Sequence, residues 1–191
     1  MATWCAALLL SACDDQPAQQ TDSAAIIVNE TLIAEVHEAV DRRKLDKALL
    51  ARAVSGGFSE ALTLYGHIGG GACMHIRPYL KSEDAQTRVS ALKGAMHCRD
   101  TYAYSEIYAL ATSDGGSTVR IAALEALGFV SDEKNRAQMA AHTSALMQNA
   151  DDAPLEAAAA AYGLMQNITY AGVSPADLPE LDMAAVINAA K

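Results

Sequence analysis

The sequence is poor in the residues that build β-sheets. Aromatic residues, which favour strands, make up 5% of the 191 residues. The chain also contains only five prolines and four cysteines. Hydrophobic residues nevertheless make up 51%, and most of them are alanine and leucine, which enter helices at little cost, whereas β-branched residues are sparse. We therefore predict an all-α protein, with enough apolar residues for one domain with a sizeable core.

Positive charge is also scarce. The chain has 14 Lys and Arg residues against 23 Asp and Glu residues, which gives a net charge of −9. A protein that binds duplex nucleic acid needs a basic surface that neutralises phosphates, so we expect no nucleic-acid partner. The acidic balance favours solubility and does not by itself indicate a particular partner.

The amino-terminal stretch carries no charge from position 2 to position 12, and it ends in the letters LSAC, of which the last is Cys13. Small residues before a cysteine are typical of a signal-peptide cleavage site. These letters resemble the lipobox of bacterial lipoproteins. The resemblance implies that residues 1–12 are a signal peptide and that lipid on Cys13 anchors the protein in the cell envelope of a Gram-negative bacterium, on a membrane that faces the periplasm. The following Asp14 favours the inner membrane. An ordinary secretory signal and a short buried helix are the alternatives.

A polar stretch, DDQPAQQTDS, follows the cysteine. It contains Asp, Gln, Pro and Ser and has almost nothing to bury, so it predicts a flexible tether. We assign residues 13–25 to this tether and residues 26–191 to a folded helical domain.

A repeat fills that domain. RVSALKGAM (88–96) and RIAALEALG (120–128) superimpose at a separation of 32 residues. FSEALTLYG (58–66) and LEAAAAAYG (155–163) fall in the same frame, so successive blocks end 30, 32 and 35 residues apart. Such a period is typical of stacked two-helix repeats. A partner helix is expected before each block, near residues 45–54, 72–81, 104–113 and 136–148.

The order of residues in the 120–128 block, and less fully in the 88–96 block, resembles HEAT repeats: Asp in the turn, then Val-Arg, then Ala and Leu, then Gly. The first and last blocks have Phe58 and Leu155 in place of the arginine. The resemblance is closest to the short bacterial HEAT-like kind. The repeat-defining residues that carry it are Arg88, Leu92, Arg120, Leu124 and Gly128. The resemblance implies an α-solenoid of about four HEAT-like hairpins, in which the two leucines occupy equivalent buried positions. An all-helical bundle is the structural alternative.

A narrower resemblance concerns the segment VHEAVDRRKLDKALLARAV (36–54) between the lipobox and the repeats. This arrangement resembles the front of bacterial lipoproteins that end in a cyclophilin-type prolyl isomerase domain. Such a domain needs many strands and a Phe-His-Arg-type motif, but neither of the two phenylalanines stands beside a histidine. The resemblance therefore implies a repeat segment, either a fragment or a shortened relative, without the catalytic domain.

No pattern in the sequence predicts catalysis or a cofactor. The stretch HIGGG (67–71) has neither the Gly-x-Ser-x-Gly elbow of a lipase nor the Lys-Ser/Thr of a P-loop, and we interpret it as a turn between repeats. The predicted function is a membrane-anchored, non-enzymatic scaffold that binds a protein or peptide partner in the cell envelope. The isomerase-associated repeat segment is the alternative function.

Three tyrosines, Tyr102, Tyr104 and Tyr108, lie close together at one predicted helix. Tyr104 and Tyr108 are four residues apart and therefore share a helix face. We expect these two to pack in the core, with a binding surface as the alternative.

The cysteines that follow the signal sequence and the lipobox are Cys73 and Cys98. In an antiparallel hairpin of helices near 72–81 and 85–97, the start of the first helix lies beside the end of the second. A disulfide is therefore one prediction, since the lipobox implies an oxidising compartment. Two packed free thiols are the second. A zinc or copper site is the weakest alternative, because three histidines crowd the same end. These histidines are His67, His75 and His97.

Overall fold

The computed structural model describes residues 23–172, and their side chains from Glu30 onward. Over this range the chain is all-helical, with nine α-helices, two 3-10 helices and no strand, which confirms the all-α class. No helix in this range is both long and apolar enough to cross a membrane. The α-helices are α1 (Ser23–Asp41), α2 (Lys47–Ser55), α3 (Ala61–Gly66), α4 (Gly70–Ile76), α5 (Ala85–Cys98), α6 (Tyr104–Ser113), α7 (Ser117–Val130), α8 (Arg136–Gln148) and α9 (Pro154–Ala171).

The helix positions agree closely with the repeat pattern, apart from two differences. Helices α6 and α8 coincide with the predicted partner helices. Helix α1 begins at Ser23, so residues 23–25 belong to a helix and not to the tether, because alanine favours helix. The expected single helix over 72–81 ends at Ile76 and continues as the 3-10 helix Arg77–Lys81, because Pro78 has no N–H for an α-helical hydrogen bond. The predicted signal peptide, Cys13 and the tether before Ser23 lie outside the described residues.

Aspartates in the turns start two of the helices. The carboxylate of Asp46 accepts a hydrogen bond from the N–H of Leu49 at 3.0 Å, and that of Asp84 accepts one from the N–H of Thr87 at 2.7 Å. These are N-caps, which satisfy backbone donors that have no partner inside the helix. The turn chemistry seen in the sequence therefore fixes where α2 and α5 begin.

The second helices of the four predicted hairpins form a row. Helix α3 packs against α5, α5 against α7, and α7 against α9. Each first helix, namely α2, α4, α6 and α8, packs against the second helix of its own hairpin. The apolar side chains between them form one core that runs from Val36 to Leu164, and Leu92 and Leu124 are buried in it. The described helices therefore share a single hydrophobic core.

Glycines allow close contact at two crossings of this row. A Cβ atom on Gly66 would overlap the backbone of Gly94, where α3 crosses α5. A Cβ atom on Gly128 would overlap the carbonyl group of Gly163, where α7 crosses α9. Any larger residue would push the helix axes apart, so the backbones themselves are in contact here. The role of the repeat-defining Gly128 is thus to let α9 approach α7.

The two repeat-defining arginines each link one hairpin to the next. Arg88 of α5 forms an ion pair with Asp114 in the turn before α7, with Nε 2.9 Å from Oδ2. Arg120 of α7 donates to Oε1 of Glu156 in α9 at 2.7 Å, and also to the backbone carbonyl of Asp114 at 2.8 Å. Burial acts to raise the pKa of Asp114, but the hydrogen bond from Gly116 and the contact with Arg88 outweigh it and hold that pKa below its usual value.

We expect Gly128→Ala to lower the free energy of unfolding by about 1–3 kcal/mol, since the added methyl group would force α7 and α9 apart at a crossing with no spare volume. Gly115→Ala is the matched control, because Gly115 lies in an exposed turn where an added methyl carbon would have no atom within 4 Å. Urea denaturation followed by far-ultraviolet circular dichroism measures both variants. Equal losses in the two variants would contradict the close approach of the helices.

Candidate functional site

Cys73 and Cys98 come together at the end of the second hairpin. Cys73 lies in α4 and Cys98 is the last residue of α5, and the two form a disulfide with Cα atoms 5.8 Å apart. This separation is within the range of about 4.4–6.8 Å that disulfides span without movement of the backbone. Both cysteines are buried. The bond would tie the short helix α4 to the carboxyl end of α5.

Two of the three histidines also meet at this end of the molecule. The rings of His67 and His97 lie against each other with centroids 3.7 Å apart. Burial lowers the pKa of His97 below its usual value, the neighbouring His67 lowers it further, and Glu60 acts in the opposite direction. Among the described residues no group of three or more His, Cys, Asp or Glu side chains has the arrangement of a metal site. His75 does not join the histidine pair in such a group.

A groove of about 480 Å³ opens beside the disulfide. This groove lies between the start of α4 and the segment that follows α5, and the two cysteines form part of its wall. Its volume falls within the range of about 300–1,000 Å³ that is usual for ligand pockets. The other residues that define it are Gly70, Gly71, Met74, Arg77, Arg99, Asp100, Thr101 and Tyr102.

An ion pair links the two walls of the groove. Arg77 donates from Nε and Nη2 to the two carboxylate oxygens of Asp100, at 3.0 and 2.6 Å. The Asp100 side chain is only 2% exposed. These hydrogen bonds raise the pKa of Arg77, which therefore stays charged. The guanidinium carbon of Arg77 also lies 5.7 Å from the ring centroid of Tyr102, so one arginine holds both the acid and the aromatic ring.

Two large apolar side chains of the groove face solvent. Tyr102 is 84% exposed and Met74 is 64% exposed. Large apolar side chains that are exposed singly are ordinary, but a pair that lines one concave surface is typical of an interaction site. These two residues give the groove an apolar contact surface.

Arg99 is the second positively charged residue of the groove, after Arg77. It ends α5 in the left-handed conformation, with φ of 53°. Its side chain is exposed, and its guanidinium carbon lies 4.8 Å from the ring centroid of Tyr170 in α9. Within residues 30–172, Arg99 forms no ion pair with a carboxylate, in contrast to Arg77. Arg99 is therefore a cation held in place by an aromatic ring and available to a ligand.

Two of the three clustered tyrosines, Tyr104 and Tyr108, pack in or against the core, as the sequence predicts. Tyr104 is buried and Tyr108 half-buried, with ring centroids 5.9 Å apart. Burial raises the pKa of Tyr104 to about 12, and its hydroxyl donates to the carbonyl of Asn135 at 3.3 Å. Tyr102 lies in the 3-10 helix Thr101–Ala103, just before α6, and this displacement turns it out to the groove.

Sequence reasoning missed Met74, Arg77, Arg99 and Asp100 as members of a site. The signal that could have found them was their position, because all four lie within four residues of a cysteine whose pairing was predicted. The HIGGG stretch also contributes: Gly69 turns with φ of 109°, and the two glycines after it begin α4 at the edge of the groove.

A second, smaller groove of about 240 Å³ lies between α1 and α2. Most of its charged side chains form ion pairs with one another. Arg42 pairs with Glu38 and Arg52 with Glu35, each at 2.8 Å. The first groove therefore combines an accessible cation with exposed apolar groups, and the second does not.

We expect protein from an oxidising compartment to show no alkylatable thiol at Cys73 or Cys98 until it is reduced, by mass spectrometry after denaturation. The double substitution Cys73→Ala, Cys98→Ala should lower the free energy of unfolding by about 3 kcal/mol, because it removes the constraint on a 25-residue loop of the unfolded chain. The reduced wild type serves as the matched control and should be as unstable as the double variant. Two labelled thiols without reductant would contradict the disulfide.

No protein-family model, no curated protein and no solved structure matches this chain. The functional proposal therefore depends on the geometry of the groove and on the sequence.

Proposed function

We propose that this protein is a non-catalytic scaffold that binds a protein or peptide partner in the groove beside Cys73 and Cys98. The observation that carries the proposal is the exposed pair Met74 and Tyr102, one on each wall of a groove whose walls are linked by the Arg77–Asp100 ion pair. A preordered wall loses little conformational entropy on binding, and exposed aromatic groups supply much of the energy of protein interfaces.

The state of the polar groups supports binding rather than chemistry. Arg77 and Asp100 are hydrogen-bonded to each other, and the two cysteines are bonded to each other. A general acid, a base or a nucleophile must instead be able to exchange a proton or attack a substrate. The groove thus offers contact groups, and we assign it no catalytic residue and no cofactor.

We further propose that the helices form a HEAT-like α-solenoid of about four hairpins. The row of α3, α5, α7 and α9 supports this arrangement, as does the equivalent use of Arg88 and Arg120 to bridge successive hairpins. Solenoids present long surfaces on which partners bind, which agrees with a scaffold role.

Membrane anchoring through Cys13 is the remaining element of the proposal, and the lipobox-like letters before it support it. Lipid on a thiol and on the new amino terminus would hold the protein at a membrane, facing the periplasm of a Gram-negative cell, and Asp14 favours the inner membrane. Two or more acyl chains give stable anchoring, whereas one gives only marginal binding.

We expect Met74→Ser combined with Tyr102→Ser to abolish partner binding, because the apolar contact surface of the groove disappears. Leu155→Ser combined with Tyr162→Ser is the control, since both residues are exposed but lie on α9, outside the groove. Site-specific photocrosslinking in cells, with a benzophenone group at position 101 of the groove, reports the contact in the wild type and in both double variants, none of which changes Thr101. No adduct in the wild type, adducts that survive Met74→Ser combined with Tyr102→Ser, or equal losses in the control pair would contradict the groove as the binding site.

We expect Cys13→Ser to release the protein from membranes into the soluble fraction, because the acylated thiol is lost. Fractionation of cells and metabolic labelling with a fatty acid measure this directly. Cys5→Ser is the control, since Cys5 lies within the predicted signal peptide and would be removed with it. Membrane association that survives Cys13→Ser, with no label on the wild type, would contradict the lipoprotein.

A further inference from the structure

The groove beside the disulfide is positively charged on a chain whose net charge is −9. Its lining residues include one acid, Asp100, and this acid is buried and neutralised by Arg77. Arg99 adds a positive charge that no carboxylate of residues 30–172 offsets. A local cation against an acidic background attracts negative groups and repels positive ones.

The same groove excludes a positively charged ligand in a second way. An exposed tyrosine ring could otherwise bind a cation on its face, but Arg77 already lies 5.7 Å from the ring centroid of Tyr102. A lysine or arginine of a partner would instead meet the positive charge of Arg99. Electrostatics therefore favour a partner with a carboxylate.

Exposed apolar side chains line the same groove as the positive charge of Arg99. Met74 and Tyr102 line the groove together with Arg99, and both side chains are largely exposed. A partner segment that presents a carboxylate next to an apolar side chain can satisfy both features at once. Charge-assisted hydrogen bonds to a guanidinium give orientation as well as energy.

We propose that the groove binds an acidic peptide segment, with an Asp, Glu or terminal carboxylate on Arg99 and a neighbouring aromatic or aliphatic side chain between Met74 and Tyr102. This inference rests on the proposed scaffold function and names the chemistry of its partner. The disulfide joins the two walls of the groove, so the peptide meets a site that is already formed.

The test selects peptides from a random library of linear peptides on the full-length oxidised protein. We expect the retained sequences to carry Asp or Glu beside an aromatic or aliphatic residue, and their affinity to fall as salt is added. Arg99→Ala should weaken a retained peptide about tenfold, as loss of a hydrogen bond to a charged group does. Arg99→Lys should retain part of the affinity, because it keeps the charge but loses the bidentate geometry.

Arg43→Ala is the matched control. Arg43 is also an exposed arginine in the left-handed conformation, with φ of 50° against 53° for Arg99, but it lies outside the groove. Both substitutions therefore change the net charge and the backbone preference equally. Far-ultraviolet circular dichroism checks that each variant is folded. Peptide affinity should be unchanged in Arg43→Ala.

Three results would overturn the inference. Selection of basic or uncharged peptides that still require Met74 and Tyr102 would leave the scaffold function in place and refute the acidic partner. Retention of no peptide, together with no photocrosslinked adduct at position 101, would refute both. Binding to phosphatidylglycerol vesicles that depends on Arg99, without any retained peptide, would assign the groove to a membrane surface instead.

Discussion

Close contact between helix backbones is the constraint on which the rest of this structure depends. At Gly66 and Gly94, and again at Gly128 and Gly163, one helix touches the next without an intervening side chain. The small alanines that fill much of the core around these points leave little volume to relax. Protein interiors of this density transmit strain instead of absorbing it. The helices are thus placed by contact of the main chain.

Polar links that are partly or fully buried align the hairpins with one another. The arginines of α5 and α7 each bridge to the following hairpin, and a third link uses Asn167 of α9, whose amide donates to the carbonyls of Gly128 and Ser131 at 3.0 and 3.1 Å. Buried ion pairs contribute little net stability, since desolvation offsets their attraction. A mispaired register would leave these groups without partners, which is costly. We therefore interpret the links as determinants of alignment between hairpins.

The groove follows from an irregularity in this regular pattern. Helix α4 is short because Pro78 ends it, and the 3-10 turn that follows places Arg77 against Asp100. On the opposite wall, the left-handed Arg99 ends α5 and sets the direction of the chain toward Tyr102. Departures from ideal helices at both walls open a concave surface that a continuous pair of helices would fill. The proposed peptide site is therefore located where the repeat is least regular.

The sequence by itself determined the helical class, the positions of most helices and the burial of Leu92 and Leu124, because alanine, leucine and aspartate act through local propensity, periodicity and capping. The 32-residue spacing of Arg88 and Arg120 also identified the two arginines as equivalent positions of the repeat. Proximity of Cys73 and Cys98 followed from hairpin geometry alone. Only the tertiary structure decided three contacts. Gly66 meets Gly94, although the repeat pattern aligns Gly66 with Met96. Arg77 pairs with Asp100, and Arg99 reaches Tyr170 in α9, two helices further along the row. Each of these contacts depends on the rotation and distance of helices that are far apart in the chain, and no local pattern specifies those quantities.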